Sequence, residues 1–224
     1  MNLKISSKAF SQLTHNEPSK KNAIHQAGHA VAIYIGNRQK QLPPFFFQIY
    51  IKELSSDFQL SRSLCLLNDK CTVKFDDDRL LHALPFSIEK ASTDNFSEPE
   101  QIDECAFETD VINLLVGPLA EAKYVAMRDG ELINPRLVNL NALHNYGGTS
   151  ELEIVGKYLE YFIPEETERE KKISDLFLQA FSFINDRSNW LAITALAYYI
   201  LAGRKKSIEC EEVLPYLIPS CISS

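Results

Sequence analysis

Apolar residues recur at three- and four-residue spacings through most of the second half of the chain, and one stretch of the first half follows a different rhythm. The first helical pattern starts after Pro18-Ser19 and runs to about Ile35, with Ala23, Ala27, Ala30, Val31 and Tyr34 as its apolar positions. From Pro43-Pro44 the pattern shortens. FFFQIYIKEL (45–54), SLCLL (63–67) and CTVKF (71–75) are rich in aromatic and β-branched residues and are separated by Asp, Ser and Asn, which predicts a small sheet. Asp76 to Asp78 and Ala91 to Glu104 read as loops on either side of a short apolar segment, LLHALPF.

The helical period returns over Phe107 to Met127, carried by Val111, Leu114, Leu115, Leu119, Ala122 and Val125. Gly117-Pro118 inside that stretch predicts a kink or a division. Thr149-Ser150 reads as the cap of a helix over Glu151 to Phe162, and Pro164 opens another that ends near Asn185. Asp186 to Asn189 reads as a turn, Trp190 to Ala202 as a helix, and Glu209 to Leu217 as a last short one. The pattern predicts a mainly α protein of the α+β class, its small sheet lying between the first helix and the later ones. With no internal repeat or low-complexity tract, the expected division is an N-terminal extension (1–18), one domain (19–217) and a C-terminal tail (218–224).

Composition narrows this further. Only 8 of 224 residues are glycine, below the usual share of about 7%, which favours helix over turn-rich β architecture. Lys and Arg number 23 against 30 Asp and Glu, giving a net charge of −7 and a pI near 5.3, so a nucleic-acid-binding surface is not expected. The five cysteines (Cys65, Cys71, Cys105, Cys210, Cys221) form no C-x-x-C pair, and MNLKISSKAF lacks an apolar signal core. Reduced thiols and a cytoplasmic location are the expectation. Trp190 to Gly203 is the longest nearly uncharged apolar stretch, and it falls short of the 18 to 20 residues or so of a membrane-spanning helix.

One constellation can carry chemistry. His25 and His29 stand four residues apart, so on a helix both imidazoles lie on one face and can reach a single zinc ion. The pair alone describes two partly buried helix histidines equally well. His144, in ALHNYGG, can line such a site or simply be solvated, and His15 and His82 have no partners in sequence.

The letters around the pair add to it. AIHQAGHAVAIYIGN (23–37) resembles the HEAGHA segment of the FtsH family of zinc metalloproteases. In the same order, DVINLLVGPLAEAKYVA (110–126) is similar to that family's LLGGRAAEE-type helix, and GGTSELEIVGKYLEYF (147–162) to its TGASNDLxxAT segment. Residues 171–217 are similar to its closing helical pair. The resemblance implies a helical peptidase domain with zinc held by His25, His29 and a carboxylate from the helix after Gly148. The family's third ligand is an Asp inside Gly-x-Ser-x-Asp, whereas here Gly148-Thr149-Ser150 runs straight into Glu151. Alignment of the downstream helix puts Glu151 in the ligand place, with Glu153 as the competitor. Glu121 matches a family glutamate suited to accept a hydrogen bond from a ligating histidine, although Pro118 stands where the FtsH enzymes have no proline.

Gln26 is the main departure. The family has Glu there, the base that takes a proton from zinc-bound water and passes it to the leaving amine. Glutamine keeps the shape without the proton chemistry, and losing a general base forfeits about 10²- to 10⁴-fold. The resemblance therefore implies a free-standing FtsH-like domain that binds zinc while peptide hydrolysis is impaired or lost, a pseudopeptidase or peptide-binding module acting on a polypeptide. An active zinc metalloendopeptidase using another base is one alternative. A metal-free helical interaction protein is the other. No P-loop motif occurs, so an ATPase partner would be a separate chain, and assembly into a homo-oligomer is the expectation the family suggests.

Overall fold

The computed structural model describes residues 17–42, 47–51, 71–75, 104–202, 205 and 207–217, with the backbone alone at 50–51 and 71–75. Helix α1 spans Glu17–Gln39, and strands β1 (Phe47–Ile51) and β2 (Cys71–Phe75) follow it. Next come α2 (Glu104–Arg128), a 3-10 turn (Asn141–Tyr146), α3 (Thr149–Phe162), α4 (Glu166–Asn185) and α5 (Arg187–Ala202). Strand β3 (Ser207–Glu209) and α6 (Cys210–Leu217) complete the described elements. The fold is mainly helical with a small antiparallel sheet. No helix among the described residues is long and apolar enough to cross a membrane.

Helix α1 is the axis of the molecule. Every residue from Asn22 to Ile33 is buried, so the helix is enclosed on all sides, by α2 along its length and by α5 on another flank. Pro18 sits in its first turn, where the missing N–H costs nothing. The pairing of α1 and α2 is antiparallel. Tyr124 donates a hydrogen bond to Glu17 at one end, and Gly36 lies against Asn113 and Thr109 at the other. At the crossing an added Cβ on Gly28 would stand 3.0 Å from Ala120 Cβ and 3.2 Å from Gly117 Cα, so the backbones approach with only the Ala120 methyl at the contact.

Helix α2 continues through Gly117-Pro118 as one element instead of dividing. A proline ring removes one intrahelical bond and needs room. The room is there, because Gly148 faces the ring: a Cβ on Gly148 would lie 2.9 Å from Pro118 Cβ and from the Leu143 carbonyl oxygen. Gly147, at φ 73°, ends the 3-10 turn in the left-handed region. Gly148, not Thr149 or Ser150, is the N-cap of α3, and no side chain caps that end. One further boundary differs from the pattern. Asp186 accepts hydrogen bonds from the Ser188 and Asn189 backbone N–H groups, so α5 begins at Arg187 where a four-residue turn was expected.

The sheet has the order β2-β1-β3, all antiparallel, with Ile49 opposite both Val73 and Ile208. Strand β3 was not anticipated. Three residues between a helix and a helix carry too little alternation to register, yet Ile49 and Ile208 are both fully buried. The expected strand at 63–67, the loops at 76–78 and 91–103, the extension before Glu17 and the tail after Leu217 lie outside the described residues, as do His15, His82, Cys65 and Cys221, whereas Glu104, expected as the end of the second loop, opens α2. Cys105 and Cys210 are in no disulfide among the described residues.

Two glycine substitutions test this packing. Gly156→Ala, in α3 where a Cβ meets nothing within 4 Å, should raise stability by about 0.5–1 kcal/mol. Gly28→Ala should lower it by about 1–3 kcal/mol, because the helix backbones must separate. Urea unfolding midpoints read both, and a Gly28→Ala chain at least as stable as wild type would contradict the close crossing.

Candidate metal centre

Three helices bring the candidate residues together. His25 and His29 come from one face of α1, Glu151 from the first turn of α3, and Glu121 from α2. His25 and His29 are 1% exposed and Glu151 2%. The geometry is tight: His25 Nε2 lies 3.1 Å from Glu151 Oε1, and His29 Nε2 lies 3.5 Å from the same oxygen. One donor atom from each of the three residues falls within 4.8 Å of the others.

The outer nitrogens of both rings are anchored. His29 Nδ1 donates to the Asn113 backbone carbonyl at 2.8 Å, which leaves Nε2 carrying its lone pair towards Glu151. His25 Nδ1 donates to Glu121 Oε2 at 3.2 Å. Gly117 provides the seat for the second ring, since a Cβ there would stand 2.2 Å from His29 Nε2. Any side chain at 117 would expel the imidazole.

The electrostatics follow from burial and from these contacts. Burial works against a charged His25, but hydrogen bonds and charge from Glu121 and Glu151 outweigh it and push its pKa up to about 9. Burial dominates at His29, helped by the charge on His25, and holds that imidazole below the ordinary histidine value and neutral. Glu151 is also penalised by burial. The hydrogen bond from His25 and its charge prevail and hold the Glu151 carboxyl well below the usual carboxylate range.

The donor set fits a metal ion. An ion with tetrahedral donors at 2.0–2.2 Å sets them roughly 3.3–3.6 Å apart, close to the two histidine–carboxylate distances. His29 Nε2 and Glu151 Oε2 are both buried without a hydrogen-bond partner. An orphaned buried polar atom costs about 1–3 kcal/mol, and an ion between the three residues would relieve both. The group His25, His29 and Glu151 can therefore hold a metal ion.

The other sequence candidates sit apart from it. Glu153 is exposed on the far side of α3, so Glu151 is the carboxylate that meets the histidines. His144 is exposed on the 3-10 turn, 3.3 Å from Thr149 Oγ1. Gln26 is buried on α1 between the histidines. Sequence reasoning missed the Asn113 carbonyl and the seat that Gly117 gives the His29 ring. A backbone carbonyl leaves no trace in residue type. Gly117 did leave one, since it recurs with Gly28 among very few glycines.

Metal binding at His25 Nε2 displaces the proton that the metal-free centre holds there, while Glu151 is already ionised and His29 already neutral. Titration with Zn²⁺ at about pH 7.5 should release about one proton per ion. Apparent affinity should rise about tenfold per pH unit up to about 9 and then level off. Calorimetry in buffers of differing ionisation enthalpy measures the release, and a value near zero would contradict a protonated His25. No protein-family model matches the chain, and neither a curated protein nor a solved structure matches it.

Proposed function

We propose that the chain is an FtsH-like metallopeptidase domain that binds zinc through His25, His29 and Glu151 and has lost or nearly lost peptide hydrolysis, serving as a pseudopeptidase or peptide-binding module. One observation carries the metal half: two histidines of α1 and a carboxylate 126 residues away converge, fully buried, with their donor atoms within 4.8 Å. Chance helix histidines have no reason to meet a buried carboxylate. Glu121 and the Asn113 carbonyl then act on the outer nitrogens, holding both Nε2 atoms inward.

The loss of hydrolysis rests on proton chemistry. A bound zinc ion polarises a carbonyl and lowers the pKa of a bound water. Turnover also needs a group to carry the proton, and the Gln26 amide cannot do so. Among the described residues two carboxylates stand at the centre, and both are engaged: Glu121 on His25 Nδ1 and Glu151 between the two Nε2 atoms. Neither is placed to serve as a free base. The burial of all four side chains points the same way, because a hydrolase must admit a peptide and water to its metal.

The purified chain should contain close to one zinc per molecule, and His29→Ala should abolish it. An unfolded casein substrate should be cut by neither the wild-type chain nor its chelator-treated form, and Gln26→Glu should leave it uncut as well, because the restored base still lies in a closed centre. Absence of zinc, with no change on His29→Ala, would favour the metal-free interaction protein. Chelator-sensitive cleavage by the wild-type chain would favour the active peptidase.

A further inference from the structure

The geometry points to a role for the bound ion as an internal clamp: it fixes the first turn of α3 against α1, so that metal loading and the ordering of α3 are one event. This rests on the metal-binding reading above and goes beyond it, because a catalytic zinc needs an open face and has no structural duty of this kind.

Four features of the described residues carry the inference. The donors come from two helices that are distant in sequence, so an ion at the centre ties α3 to α1 directly. Glu151 is the one charged member of the buried face of α3, the others being Ile154, Val155, Tyr158 and Leu159. Glu151 thus sits at the end of an otherwise apolar contact, in the turn that has no side-chain cap. That end is held by Gly148 against Pro118, and by Glu151 on the histidines.

A helix of 14 residues is marginal by itself and depends on what its buried face meets. Ile154, Val155 and Leu159 are apolar, Tyr158 carries a buried hydroxyl with no hydrogen-bond partner, and Glu151 meets imidazole rings and leaves its own Oε2 and His29 Nε2 unpartnered. The first turn, where two ligand atoms lack partners, is the part of the docked helix that the ion would bond. The centre is also closed, since His25, His29 and Glu151 are each no more than 2% exposed. An ion leaves such a site only after something moves, and the uncapped first turn of α3 is the element that can lift its ligand away.

Hydrogen exchange on the full chain, with and without one equivalent of Zn²⁺, tests the clamp. Amides in the first turns of α3 should gain at least tenfold protection on loading, more than those at the centre of α2. Glu151→Gln should lose that gain, and Glu153→Gln, at an exposed position of the same helix, should keep it. Should Glu151→Gln fail to fold, the wild-type chain still decides: zinc loss to a chelator should proceed at a rate independent of chelator concentration, since opening of α3 limits it. A rate proportional to chelator concentration would overturn the clamp. Zinc uptake with unchanged protection of α3 would overturn the clamp alone and leave the metal site standing. No zinc uptake would overturn the metal reading and the clamp with it.

Discussion

The closeness of α1 to α2 is the constraint on which the rest depends. Gly28 meets Gly117 and Ala120 with only the Ala120 methyl between the backbones, and the missing Cβ at Gly117 leaves the space that the His29 ring fills. A wider crossing would break the hydrogen bond from His29 Nδ1 to the Asn113 carbonyl and draw Glu121 away from His25. Packing and chemistry are therefore one arrangement here. The glycines that let the helices touch are also those that let the imidazoles turn inward.

Within that arrangement the charges have few other places to go. Glu121 and Glu151 are buried carboxylates, and unpaired charge in such surroundings is strongly disfavoured. Without an ion, a protonated His25 stands between them and compensates part of the charge. A divalent cation would compensate both, and it would also bond the His29 nitrogen and the Glu151 oxygen that otherwise lack partners. An ion there would compete with the proton on His25 for one position.

Much of this was legible in the residues, although unevenly. The helical period located the helices to within a few residues at most ends, and CTVKF coincides with β2. The histidine pair was visible because four residues is slightly more than one helical turn. Choosing Glu151 over Glu153 was harder, since both lie near the start of α3 and face selection depends on where the Gly147-Gly148 turn aims the helix. Strand β3 escaped because three residues show no period, and its pairing with β1 spans about 160 residues of sequence. The enclosure of α1 on all sides was also hidden, because Asn22, His25, Gln26 and His29 make its pattern look half polar while all four are buried.

The central claim is that His25, His29 and Glu151 share one metal ion. Anomalous diffraction at the zinc edge from crystals of the purified chain addresses it most directly. The account predicts one strong peak about 2.0–2.2 Å from His25 Nε2, His29 Nε2 and a Glu151 carboxylate oxygen. A map with no peak there, or with zinc bound only by other residues, would contradict it.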